Sequence, residues 1–256
     1  MIPISDDNPT LRFPLVTVGL LATLALVWIF VQGAGLNPVV LAASVCDWGM
    51  VPGELTHLAR IGTAVPLGDH LACVVDDDAR NVLTPITAMF LHGGWGHLLG
   101  NGLFLWVFGN NIEDSMGRFR FLVFYLICGL AAAAAQTAVN PGSPIPMVGA
   151  SGAISGVLGA YLVLYPRVRV NLLVFLFIFI RVIPVPAWVV LLAWIGMQLL
   201  AGLPQLSSMR PAVSAGVAVW AHIGGFVAGL VLVKLFENRK LVAERSIRFD
   251  SYATRR

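Results

Sequence analysis

The topology of this chain turns on residues 169–203, RVNLLVFLFIFIRVIPVPAWVVLLAWIGMQLLAGL. Between Arg169 and Arg181 lie eleven uncharged residues, Val170–Ile180. A helix that crosses a hydrocarbon core needs about 20 residues, and roughly 17 at the short end. Eleven suit an interfacial or re-entrant segment, and Pro184 and Pro186 break any helix that would continue from it. The next seventeen residues, Ala187–Leu203, carry no charge and read as a full span. Working outward, five further apolar runs qualify: Phe13–Gly33, a short one at Trp95–Gly109, Phe119–Val139, Val148–Tyr165 and Val213–Phe236. The fold expected is therefore an all-α integral membrane protein of six transmembrane helices. It has a long first outside loop and an interfacial segment before helix five.

Composition supports this. Of 256 residues, 58% are hydrophobic and 11% charged, against about 25% charged in soluble domains. A soluble core of this size has no room for so much apolar surface. A disordered chain and a disulfide-dense secreted scaffold are excluded as well. The first span lacks the short apolar region and small-residue cleavage site of a signal peptide, and Asp6 and Asp7 argue against a mitochondrial presequence. Basic residues give the orientation. With the N-terminus in the cytoplasm, thirteen of the sixteen Lys and Arg lie inside: Arg12, Arg118, Arg120, Arg167, Arg169, Arg181, Lys234, Arg239, Lys240, Arg245, Arg248, Arg255 and Arg256. Only Arg60, Arg80 and Arg210 lie outside, as the positive-inside rule favours. The expected organisation is a cytoplasmic N-terminus (1–12), a six-span domain (13–236) and a basic cytoplasmic tail (237–256) that touches anionic lipid. Cys46 and Cys73 share the first outside loop, where an oxidising compartment permits a disulfide.

Polar groups inside spans carry the functional signal, because each is costly in hydrocarbon. His97 and Asn101 lie near the start of span two, Ser151 and Ser155 in span four, and His222 about nine residues into span six. In the six-span arrangement all three helices run from outside to inside, so these residues converge in the outer half of the membrane. An additional span at 170–183 would move His222 to the inner half. A serine becomes a nucleophile when a base takes its proton, and His222 is the candidate base for Ser151. His97 and Asn101, spaced i, i+4, share a helix face and both can donate to an oxyanion. Gly152, Gly156 and Ala160 on span four, and Ala218, His222, Gly225 and Gly229 on span six, form small-residue faces that let helices approach closely. No His-Glu-x-x-His string exists for zinc, and apart from Lys234 at the inner end of the last span the spans hold neither a Lys nor a usable pair of carboxylates. A chain-wide pore would need polar residues through the full depth, whereas Val157–Leu164 is apolar apart from the Tyr161 hydroxyl.

Three strings, in order, resemble the rhomboid family of intramembrane serine proteases: His92-Gly93-Gly94-Trp95-Gly96-His97-Leu98-Leu99-Gly100-Asn101, Gly149-Ala150-Ser151-Gly152, and Ala221-His222-Ile223-Gly224-Gly225-Phe226 with Gly229. Glu113-Asp114 with Gly117-Arg118, and Trp48-Gly49-Met50-Val51-Pro52, also look like bacterial members. The resemblance implies Ser151 as nucleophile, His222 as general base, and His97 and Asn101 as oxyanion donors. It implies Gly149, Gly152, Gly156, Gly225 and Gly229 as packing support, and transmembrane proteins in the lipid bilayer as substrates. No cofactor, metal or nucleic acid is implied. Span five and residues 204–216 would correspond to a lateral gate and cap, and the location to a bacterial plasma membrane. Two positions depart from the family pattern. Leu83-Thr84 stands where some members have Trp-Arg, and Ser155 replaces an aromatic that stacks on the histidine. His222 must then be oriented by another group, for which a hydroxyl is the expectation.

Overall fold

The structure, a computed structural model, describes residues 2–68, 71–176, 179–207 and 218–245. Strand β1 (Ile2–Asp6) leads into helix α1 (Leu15–Phe30), then α2 (Pro38–Trp48) and the single turn α3 (Pro52–Leu55). A hairpin of β2 (Ala64–Gly68) and β3 (Leu71–Val74) precedes the short turn α4 (Thr84–Thr87). Helices α5 (Trp95–Phe104) and α6 (Asn110–Met116) follow, then α7 (Arg118–Val139) and α8 (Ser151–Leu164). Strands β4 (Arg169–Leu176) and β5 (Phe179–Pro186) lead to α9 (Ala187–Ser207) and α10 (Val219–Phe236). The described residues thus form a mostly helical bundle carrying two small sheets.

Helices α7 and α10 are long and apolar enough to cross a membrane; α1, α2, α8 and residues 187–203 of α9 are shorter apolar helices. The second run is longer than its hydropathy suggests. A π-helical turn, Leu105–Gly109, joins α5 to α6, and these 10, 5 and 7 residues continue as one helix of about 33 Å at 1.5 Å per residue. It ends at Gly117, whose φ of +83° is the left-handed conformation that suits glycine at a helix terminus. The last apolar run begins later than expected: α10 starts at Val219, and residues 213–217 of the predicted span lie outside the described residues. His222 therefore stands in the first turn of α10, about 5 Å along the helix at 1.5 Å per residue rather than nine residues deep.

The stretch 170–180 is corrected in kind. Its described residues, 170–176 and 179–180, are β-sheet, neither a span nor a re-entrant helix: β4 pairs antiparallel with β5 from Arg169↔Pro186 to Leu176↔Phe179, and β1 adds to β4 from Ile2↔Leu173 to Asp6↔Val170. The long first loop also carries regular structure. Asn37 caps α2 by accepting from the Val39 and Val40 amides, with Pro38 at the first helical position. A disulfide joins Cys46 of α2 to Cys73 of β3. Trp48 meets the Arg80 guanidinium at 5.6 Å, and its carbonyl accepts from Thr87 Oγ1 at 2.8 Å. A Trp–Arg contact thus exists in this loop, supplied by residues other than Leu83-Thr84.

Helix α8 is the centre of the bundle, packed against α7 and α10, with every residue from Gly152 to Tyr161 buried. Its neighbours sit at backbone contact. A Cβ on Gly225 would lie 2.0 Å from the Gly152 carbonyl oxygen, and one on Gly229 1.9 Å from that of Gly156. On the other side a Cβ on Gly152 would lie 2.6 Å from Ala132 Cβ, and one on Gly156 2.4 Å from Cys128 Cβ.

The end of the bundle opposite Ser151 is closed by polar contacts. Glu113 accepts from the Val16 and Thr17 amides and from Thr17 Oγ1, at 2.8–2.9 Å, so a carboxylate from α6 caps α1. Arg245, in a helical stretch at 239–245, is 3% exposed. It pairs with Asp114, donates to Asn8 Oδ1 and Asn111 Oδ1, and lies over the Tyr165 ring. This basic residue is therefore inside the protein and away from lipid; residues 246–256 lie outside the described residues.

Candidate active site

Three helices present their first turns to one place. Ser151 is the first residue of α8, His97 the third of α5 and His222 the fourth of α10. Ser151 Oγ and His222 Nε2 are 2.8 Å apart. The glycine contacts between α8 and α10 make this possible, since any Cβ at Gly225 would force the two backbones apart. The N-terminus of α10 is fixed from α7: the Ala221 amide donates to Gln136 Oε1 at 3.2 Å, next to His222.

The segment that leads into Ser151 is held by the first loop. Met50 and Met147 exchange backbone hydrogen bonds of 2.9 and 2.8 Å, and the Gly149 amide donates to the Ala88 carbonyl at 2.8 Å. Gly149 has a φ of +127°, and a Cβ there would lie 2.6 Å from His97 Nε2 and 3.6 Å from Asn101 Nδ2. Both side chains thus reach the backbone two residues before Ser151. The Gly93 amide donates to His97 Nδ1 at 3.4 Å, which leaves the proton of the neutral ring on Nε2, the nitrogen facing Gly149. Asn101 Nδ2 is buried and makes no hydrogen bond among the described residues. The amides of Ser151 and Gly152, at the start of α8, precede the helix's own hydrogen-bond ladder. Two side-chain donors and a helix N-terminus therefore converge beside the hydroxyl. A cavity opens there, lined by Met50, Met89, Ala132, Ala133, Met147 and Ala221 among others.

His92 does not join this group as a donor. Gln32 holds its backbone, accepting from its amide and donating to its carbonyl at 2.8 Å each, and its ring lies edge-on to His97 at 5.1 Å. Ser155 does not orient His222 either. Its hydroxyl donates to the Ser151 carbonyl at 2.6 Å, one turn back along α8. The groups that meet His222 come from α9: Gln198 Oε1 lies 3.0 Å from Nδ1, and the Trp194 ring centroid lies 5.8 Å from that of the imidazole. Sequence reasoning missed both, together with Gln136. The signal for the two amides was the one that found Asn101, an amide in an otherwise apolar span. No group of three His, Cys, Asp or Glu side chains among the described residues is placed to hold a metal.

A family model described as the rhomboid domain matches residues 79–239. Among curated proteins the chain is similar to the rhomboid protease GluP of Bacillus subtilis, 46% identical over 81 residues, which are 32% of this chain and 15% of that protein. The putative rhomboid protease YdcA of the same organism is 38% identical over 77 residues, 30% of this chain and 38% of that one. The mitochondrial rhomboid protein 1 of Saccharomyces cerevisiae is 29% identical over 165 residues, 60% of this chain and 42% of the relative. Each match spans less than half of the relative's own length. With the domain model covering well over half of its residues, from the first loop through α10, this chain belongs to the rhomboid family.

Proposed function

We propose that this protein is an intramembrane serine endopeptidase working through a Ser–His dyad. The observation that carries the reading is the 2.8 Å approach of Ser151 Oγ to His222 Nε2, between the first turns of two helices in backbone contact. His222 Nε2 takes the Ser151 proton as Oγ attacks the scissile carbonyl. The resulting oxyanion is stabilised by His97 Nε2–H, Asn101 Nδ2 and the Ser151 amide. His222 then passes its proton to the departing amine, and water, activated by the same nitrogen, releases the acyl group. No step uses a cofactor or metal.

Helix length explains how water and a membrane substrate meet. The 14 residues of α8 extend about 21 Å, against a hydrocarbon core of about 30 Å. With its lower end near one face, its N-terminus, and with it Ser151, is recessed below the other. A substrate helix unwound near the outer face would present its carbonyl there. The distribution of basic residues favours a topology with both termini in the cytoplasm, as in a bacterial plasma membrane. The Cys46–Cys73 bridge in the first loop suits an oxidising exterior.

Purified protein in detergent should cleave a single-span model substrate, and Ser151→Ala or His222→Ala should each lower kcat by about 10³-fold or more. Cleavage by Ser151→Ala at the wild-type rate refutes the assignment.

A further inference from the structure

We infer that Gln198 of α9 is a positioning residue for the general base: its amide oxygen accepts the Nδ1 proton of His222 and so fixes the tautomer in which Nε2 is free to take the proton of Ser151. This rests on the dyad proposed above. A neutral imidazole carries one proton. Nε2 can act as base only if that proton sits on Nδ1, and a largely enclosed N–H needs an acceptor. Gln198 Oε1, at 3.0 Å, is the side-chain atom bonded to Nδ1 among the described residues. Among the described residues no carboxylate is paired with His222, and Gln198 stands where an acidic third member would.

An amide suits the location. It supplies an acceptor without placing a charge in hydrocarbon, where an ionised carboxylate would be costly. It also brings α9 into the reaction geometry. Trp194 and Gln198 are one turn apart on the same face of α9, and both meet His222, by ring contact at 5.8 Å and hydrogen bond at 3.0 Å. Trp194 also lies 6.1 Å from Phe226, one turn further along α10. The base is therefore oriented when α9 is seated against α10. A substrate that displaces α9 must leave this seat intact, or restore it, before proton transfer.

The test uses the full chain and two near-isosteric variants. Gln198→Met keeps the length of the side chain and removes the acceptor. It should lower kcat about 10–100-fold, the effect of one lost buried hydrogen-bond partner. KM should be unchanged, and labelling by a fluorophosphonate should slow by the same factor. Gln198→Glu, whose carboxyl stays neutral in these apolar surroundings, keeps a carbonyl acceptor and should hold kcat to within about threefold of wild type. A Gln198→Met enzyme that labels as fast as wild type overturns the inference, as does a loss that appears in KM alone or one that Gln198→Glu fails to recover. If the wild-type chain takes no label at all, the dyad itself has failed. If wild type and Gln198→Met label equally, only the positioning role has.

Discussion

Asp6 of β1 lies largely out of water, accepting hydrogen bonds from the Tyr161 hydroxyl and from Asn111 Nδ2. Burial pushes its carboxyl up to about 6, against the opposing pull of Tyr161, the Asn8 amide and Arg245; Asp7 adds to the rise. The folded value is above the unfolded one, so the protonated form favours folding. Its contribution is complete below about pH 4 and is lost as pH rises through 6, on the order of 2 kcal/mol in all. Thermal unfolding in detergent should show a Tm that falls between pH 4 and 6, with the fall reduced in Asp6→Asn; parallel profiles for the two proteins would count against this. At the same scale, Ser151, His222, His97 and Asn101 were legible because each is a polar side chain in an apolar run. Gln198 was harder to find, because pairing it with His222 requires knowing which face of α9 meets α10.

Close helix contact is a property of elements, and its glycine spacing was readable: Gly152 and Gly156 on α8, Gly225 and Gly229 on α10. The contacts themselves give a sharp contrast. A methyl group at Gly229 would meet the backbone of Gly156, while one at Gly196 of α9 would meet nothing within 4 Å. Gly229→Ala should therefore destabilise the protein by about 1–3 kcal/mol and lower cleavage, since the helices that carry Ser151 and His222 must separate. Gly196→Ala should be neutral or stabilising, by up to about 1 kcal/mol. Paired chemical unfolding curves and rates check both, and equal behaviour of the two variants would be inconsistent with the packing described. The β4–β5 hairpin was not legible. An apolar run of that length fits a strand or a helix segment equally, and the third strand, β1, lies more than 160 residues away.

Taken whole, the molecule has two chemically distinct ends. One gathers the first turns of α5, α8 and α10 around Ser151, braced by the disulfide-linked first loop. The other is closed by β1, Glu113, Asp114 and Arg245. The mostly helical, apolar character of the bundle, and the meeting of polar residues from three of its helices, could be taken from sequence because a polar group in an apolar helix stands out. The closing network could not, since Asn8, Asn111 and Arg245 are brought together only by the folded chain. The central claim is that the first of these ends activates a serine. Its most direct test is mass spectrometry of the intact protein after exposure to a fluorophosphonate. The account predicts one adduct per chain, on the peptide that contains Ser151, and its loss in Ser151→Ala and in His222→Ala. An unlabelled wild-type protein, or an adduct that persists in Ser151→Ala, would contradict it.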